Sequence, residues 1–419
     1  METRQGNIST YIIILILTMG AFGIMGGGLV APALPTIGRA FDVPEGQQGL
    51  VLSVYTLAAA ISLPFIGYLI DSLGRRKVGI ACLLLDGITG ISIVFAPNFG
   101  VLLLMRFIQG IGIAGLIPIA MTIIGDLFSG ERKLQIMGYL AGIISLGAAI
   151  IPTLGGALAT IDWRLVFLVY GFCLLLALVF FITLPETSPF VRSQAREEKE
   201  IQGQNVPTNT EAAPVAKHDS PFDYIKFLLR VLKDRDIRNI MMQPLLQYFV
   251  LYGLVTYLPI YLAMHNFPEI FGGLALSLQG ISAGVVASRT HLVARYLVWW
   301  QQVVLGFIIK GLAFTLLPLW PEGSLWVALS IVIYGLGFGI VSPTIYNRVT
   351  TLPPKELSGA VIAIFNTMKY LGMTLSPIVL GLLLNFTHLN VVFFTVAGIA
   401  TLWGIISLKM ADRNSSSVS

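Results

Sequence analysis

"QGIGIAGLIP" at residues 109–118 is answered by "YGLGFGIVSP" at residues 334–343. Gly110, Gly112 and Pro118 recur as Gly335, Gly337 and Pro343, and further on Gly147, Pro152 and Gly156 recur as Gly372, Pro377 and Gly381. The offset is constant, since 335 − 110 and 381 − 156 are both 225. A single glycine pair could match by chance, but six positions in register across two segments make an internal repeat. The chain therefore consists of two homologous halves.

Each repeated segment lies inside an apolar run long enough to cross a bilayer. About twelve such runs are present, near 11–34, 48–69, 78–96, 101–124, 134–159, 165–184, 239–263, 272–288, 299–319, 323–346, 357–384 and 389–408. A hydrophobic share of 56% with only 11% charged residues over 419 positions excludes an ordinary soluble domain. The expected fold class is an all-α membrane protein of about twelve transmembrane helices in two pseudo-symmetric six-helix halves, 1–184 and 239–419. Six spans return the chain to its starting side, so the halves run parallel.

Basic residues set the orientation. With both termini cytoplasmic, the inner side holds Arg4, Arg75, Arg76, Lys77, Arg132, Lys133, Arg289, Arg295, Arg348, Lys355, Lys409 and Arg413, while the outer loops hold Arg39 and Arg164. The net charge of +5 follows from this bias, and no basic face with interleaved aromatics suggests nucleic acid. Residues 185–238 break the apolar pattern with nine bases and nine acids, and read as a cytoplasmic linker, disordered in its first part. Its end, "FDYIKFLLRVLKDR", has the spacing of an amphipathic helix on the membrane surface or of a solvated helix leading into span seven. Cys82 and Cys173 fall inside spans, which suggests neither a disulfide nor a thiolate metal site.

Between the second and third spans, "GYLIDSLGRRKVG" (67–79) concentrates an acid and three bases. With it the chain resembles the major facilitator superfamily, in particular its twelve-span drug:proton antiporter branch. Gly67, Asp71, Gly74, Arg75 and Arg76 stand in the positions of that family's inner-loop motif, and the resemblance implies a gating role for them. Physically, Asp71 can accept from Arg75 or face helix N-termini, and the glycines permit close helix approach. "LLMRFIQGIGIAG" (103–115) resembles the family's fourth-span motif, with Arg106, Gln109, Gly110 and Gly112 in place. "GAAIIPTLGG" (147–156) resembles the exporters' fifth-span pattern, in which Gly147, Pro152, Gly155 and Gly156 serve helix packing; Ile151 replaces a glycine there. That departure leaves an importer or facilitator of a small organic anion open beside export. The second half keeps bases in the matching loop, "VASRTHLVARYLVWW" (286–300), but has lost the acid and the glycines, so inner gating should be asymmetric.

The resemblance implies a secondary active transporter that rocks its halves around a central cavity and exports small amphiphilic compounds, such as a drug, metabolite or siderophore-like molecule, against inward proton flow. Intramembrane ionisable groups are costly and mark such pathways. Coupling candidates are Arg106, Asp86 and Asp126, or a buried lysine, because the first span carries no acid. Lys310 reads as buried against neighbouring spans, with Trp299, Trp300 and Trp320 as interface anchors. Cavity candidates are Gln109, Gln243, Gln247, Tyr248, Tyr252, Asn366 and Lys369, with Tyr55 and Tyr346 of the same kind; tyrosines suit a mixed substrate through an apolar body and a polar tip. A cavity rich in cations disfavours a purely cationic cargo. The expected partners are a small molecule, protons and the lipid bilayer, with no nucleic acid and a monomeric chain.

Enzymatic chemistry is not indicated. His218, His265, His291 and His388 are scattered without H-x-x-H or E-x-x-H spacing, no cofactor or metal motif occurs, and no GxxxxGK[ST] loop supports ATP-driven transport. Glycines and prolines at matching depths in the two halves argue for rocking bodies rather than a channel or receptor.

Overall fold

The computed structural model describes residues 10–188, 229–233, 235–319, 323–351 and 358–415. Arg4, Trp320, Lys355, the side chains of Lys409 and Arg413, and most of the 185–238 linker with its amphipathic segment lie outside those residues. The described residues are helical, with no strand. α1 runs Thr10–Phe22 and, after a 45° bend, Met25–Phe41. Then follow α2 (Leu50–Leu73), α3 (Arg75–Ile93), α4 (Phe99–Leu127), α5 (Gly130–Ile161) and α6 (Trp163–Leu168 with Gly171–Thr183). The second half consists of α7 (Arg235–Met264), α8 (Glu269–Ala287), α9 (Trp299–Leu316), α10 (Ser324–Thr351), α11 (Ser358–Leu384) and α12 (Leu389–Ser415). All but α3 are long and apolar enough to span once bent α1 is taken as one span; α3 carries Arg75, Arg76, Lys77 and Asp86.

The first run departs from the unbroken span expected over 11–34. Gly23, Gly26, Gly27 and Gly28, followed by Pro32 and Pro35, weaken the helix ladder, and the chain bends and continues to Phe41.

The repeated glycines explain the packing. In lipid, helices associate by close van der Waals contact, which small residues permit. A Cβ on Gly110 would strike the Tyr55 carbonyl of α2, and one on Gly112 would lie 2.8 Å from the Cys82 carbonyl of α3. In the second half, a Cβ on Gly335 would lie 3.0 Å from the Gln279 carbonyl of α8, and one on Gly337 would lie 2.9 Å from Lys310 Cγ of α9. Thus α4 is wedged between α2 and α3 as α10 is between α8 and α9.

The halves cross at two related seams, α5 against α8 and α2 against α11. Gly156 abuts the Glu269 carbonyl at the start of α8, and Gly381 abuts the Gly46 carbonyl just before α2. Thr153 Oγ1 donates to Ser277 Oγ at 2.8 Å, Ser53 Oγ donates to the Thr374 carbonyl at 3.1 Å, and the Thr56 and Thr374 hydroxyls meet at 2.9 Å. Arg39 and Glu269 form an ion pair between the halves. All these contacts lie toward the face opposite the basic loops. Toward the basic face the seams separate: no atom lies within 4 Å of a Cβ built on Gly138, Gly142 or Gly284, and Tyr139, Leu146, Ile281 and Val285 are about half exposed. Among the described residues the molecule is closed on one face and open on the basic one.

Candidate functional site

Arg106 organises the first half. Asn98 caps α4 by accepting from the Val101 N–H at 2.9 Å, which places Arg106 two turns inside the helix, fully buried. Its guanidinium donates in three directions: Nε to the Val51 carbonyl (3.1 Å), Nη1 to Gln109 Oε1 (2.7 Å) and Nη2 to the Gly26 carbonyl (2.9 Å). It lies over the Tyr55 ring at 3.9 Å. The last acceptor exists because α1 is interrupted there, and an interrupted helix presents carbonyls to side chains.

Asp86 on α3 is also fully buried; its Oδ2 accepts from the Cys173 thiol at 3.4 Å, whereas its Oδ1 and the Gln109 Nε2 have no hydrogen-bond partner among the described residues. The structure therefore brings three residues singled out from sequence, Arg106, Gln109 and Asp86, into one buried cluster, in which Arg106 bonds Gln109 directly. Gly26 and Gly27 were not singled out. A Cβ on Gly26 would fall on the Tyr55 ring, and one on Gly27 on the Tyr252 hydroxyl, so this bend admits a tyrosine from each half. Three consecutive glycines inside a span were the available signal.

The second half rearranges the expected cavity lining. Gln243 points away from it: Trp403 Nε1 donates to Gln243 Oε1 at 2.9 Å, with Ser407 on the other side, both on α12. Gln247 is also turned aside; its Oε1 accepts from Lys310 Nζ and its Nε2 donates to Ser342 Oγ at 3.0 Å. One helical turn separates the two glutamines, so both follow the packed side of α7. Asn366 donates back to the Ile362 carbonyl of its own helix at 3.1 Å. Tyr248, Tyr252 and Lys369 remain together: Lys369 Nζ lies 5.6 Å from the Tyr248 ring centre and 5.0 Å from that of Tyr370. Met25 and Tyr370 each pack against both apolar clusters, one confined to the first half and one that spans the two halves. Around the central space Tyr248, Tyr370 and Lys369 are half-buried, whereas Arg106, Tyr55 and Tyr252 are buried behind it.

At the basic face the motif residues converge on the start of α3. Arg75 is nearly buried; it pairs with Asp71 at 3.3 Å and Asp126 at 2.9 Å, and donates to the Ile70 carbonyl at 3.0 Å. Glu186, just after α6, accepts from the N–H groups of Arg75 (2.9 Å) and Arg76 (3.2 Å), the orphan donors of a helix N-terminus. Gly74 has φ +97°, and a Cβ there would collide with the Glu186 carboxylate. Arg76 Nη2 donates to the Phe181 carbonyl at 2.5 Å. Asp126, expected among the coupling groups, belongs to this network instead, because the inner end of α4 lies beside α3. Gly67 does not serve close approach here, as no atom lies within 4 Å of its Cβ position. Sequence reasoning missed Glu186, whose signal was an acid directly after the sixth span. These bonds lie within the first half and the first residues of the linker, and in this state they brace that half.

Of the helix-packing residues, Gly147 meets Ile24, Gly155 meets the Leu29 carbonyl, and the Pro152 carbonyl receives Gly273 of α8. The glycine missing at Ile151 is compensated opposite: Gly28 leaves room for Ile151 and Pro152, 3.8 and 3.5 Å from its Cβ position. A cleft of about 540 Å³ on the closed face, near Glu45, His265, Asn385 and His388, sits above the seal and apart from the central space. No group of three or more metal-ligating side chains occurs among the described residues.

Comparison with known proteins agrees with this geometry. The chain is 26% identical over 385 residues to the bacillibactin exporter of Bacillus subtilis, covering 86% of this chain and 87% of that one. It is 30% identical over 172 residues to the quinolone resistance protein NorA of Staphylococcus aureus, covering 41% and 44% respectively. Among solved structures, a POT family transporter in complex with 5-aminolevulinic acid superimposes with a TM-score of 0.75 at 14% identity, over 98% of both chains, a likeness of fold. The model of the Major Facilitator Superfamily matches residues 16–377, and this chain, a multi-pass membrane transporter, belongs to that family.

Proposed function

We propose that this transporter exports a small aromatic or amphiphilic compound, anionic or zwitterionic, from the cytoplasm in exchange for protons. The observation that carries the reading is Lys369, an ammonium between the Tyr248 and Tyr370 rings in a central space that opens toward the basic face. Basic loops stay cytoplasmic, so that face is the inner one and both termini are cytoplasmic. An inner-open cavity loads from the cytoplasm, and closure there with opening at the Arg39–Glu269 seam would release cargo outside. The relative named as a bacillibactin exporter supports this direction, and the quinolone resistance protein is in keeping with it. A cation held by ring faces favours a planar anion. The chain works as a monomer in the cell membrane, its seams being internal to one chain.

The test is uptake into inside-out vesicles with an imposed acid-inside gradient, offering bacillibactin, a quinolone, the aromatic disulfonate lucifer yellow and the cation ethidium. Gradient-driven uptake is expected for one or more of the first three. Uptake of ethidium alone would overturn the substrate class, and uptake that ignores the gradient would overturn the coupling. Lys369→Ala is expected to raise the KM for an anionic cargo about tenfold, equivalent to the ~1.4 kcal/mol of a partly desolvated cation contact.

A further inference from the structure

Asp86 and Lys310 occupy equivalent places in the two halves. Against Gly112, α3 presents the Cys82 carbonyl and, four residues on, the Asp86 backbone; against Gly337, α9 presents the Gly306 carbonyl and, four residues on, Lys310. Both side chains are fully buried. The pseudo-twofold thus sets an acid in one half and a base in the other at the same depth.

Their surroundings differ. Asp86 shares its cluster with the Arg106 guanidinium and accepts from the Cys173 thiol through Oδ2, while its Oδ1 has no hydrogen-bond partner among the described residues. Lys310 Nζ reaches Gln247 Oε1 and lies 3.4 Å from the Phe307 ring centre. The described carboxylate between Ile237 and Leu408 is Glu269, at the far end of α8. Around Lys310, α7 brings Gln247 and then Tyr248, α10 brings Tyr334 one turn before Phe338, and α12 brings no titratable group over Leu389–Leu408. Among the described residues Lys310 forms no ion pair. Burying an ammonium in a bilayer without a counter-charge costs several kcal/mol.

We propose that Lys310 carries the exchanged proton, taking it up when the halves move to open the outer face and releasing it in the inner-open state. This rests on the proton-coupled reading above. On the outer side the nitrogen lone pair binds a proton from the medium to give the ammonium. On return, the N–H bond breaks, the electron pair stays on nitrogen and the proton passes to water. The way out runs past Gln247, whose Nε2 donates to Ser342 Oγ, half-buried on the inner half of α10. Gln247 directly precedes Tyr248, so proton and cargo address two sides of the same turn of α7. Coupling then needs no contact between them, only that each favours a different state.

The test needs no cargo. Spin labels at Ile161 and Phe386, exposed sites on the outer ends of the two halves, report the width of the outer seam in purified protein. Acidification should widen it in the wild type. Lys310→Met and Lys310→Gln should abolish that widening, while Lys310→Arg, charged throughout, should hold the outer face open at every pH, a signature that a merely structural lysine would not give. If Lys310→Met and Lys310→Gln widen as the wild type does, or Lys310→Arg stays closed, Lys310 is not the carrier although coupling stands. If the wild type does not respond to acid, the proposal and the coupling reading fall together.

Discussion

At the scale of single residues, Arg106 illustrates why a conservative exchange need not be conservative. Its planar fork satisfies the Val51 carbonyl, Gln109 and the Gly26 carbonyl, in three directions from three helices. Lysine keeps the charge beside Asp86 but cannot span these acceptors. Arg106→Lys should therefore cost about 1–3 kcal/mol for each buried acceptor left unpaired, read as a lower melting temperature in detergent. Gly27 gives a second residue-level test, since a methyl there meets only the tip of Tyr252. Gly27→Ala should slow transport at least several-fold, and Tyr252→Phe in the same background should recover most of it; no recovery would mean that the bend itself, not the clash, is at fault. Arg106, Gln109 and Asp86 were each legible in the sequence as polar groups misplaced in lipid. Their connection was not, because it depends on the rotation of α3 against α4. The same rotational blindness put Gln243 and Gln247 in the cavity: helical spacing shows that two residues share a face, not which neighbour that face meets.

At the scale of elements, the α2–α3 turn is held more by its backbone than by its best-known acid. Asp71 is over half exposed, and an exposed ion pair contributes about 0–1 kcal/mol. Glu186 instead accepts four backbone N–H groups, those of Arg75, Arg76, Thr187 and Ser188, and ties the end of α6 to the start of α3. Glu186→Ala should lower thermal stability by about 1–2 kcal/mol, as loss of a helix cap does, and more than Asp71→Asn in the same melting assay. Gly74→Ala adds positive-φ strain of roughly 1–3 kcal/mol to a collision with that carboxylate and should be the worst of the three. The sequence marked this turn by its charge pattern and glycine, and placed its helices within a few residues. It hid Glu186 because the cap is supplied from 110 residues away in the chain, and it hid the bend in α1 because an apolar run reads alike whether straight or broken.

At the scale of the whole molecule, the 225-residue repeat was sufficient for two parallel halves, but a sequence encodes every state of a moving protein and so cannot announce the one that is populated. That is decided by the balance of two seams. The closed outer side has a charge pair, Arg39 with Glu269, in addition to its glycine contacts, while the inner side has separated. With Arg39 well exposed, the pair is worth about 0.2–1 kcal/mol. That is small against a folded domain, yet it alters the ratio of two near-degenerate states up to several-fold. Arg39→Glu turns attraction into repulsion and should widen the Ile161–Phe386 distance at neutral pH, with transport slowed because the inner-open, loading state is less populated. The exchange Arg39→Glu with Glu269→Arg should restore both distance and rate. If the single substitution leaves the distance unchanged, the seal resides in the glycine seams alone, and bulk at Gly156 or Gly381, where the opposing backbone leaves no room for a Cβ, becomes the way to hold the outer face open.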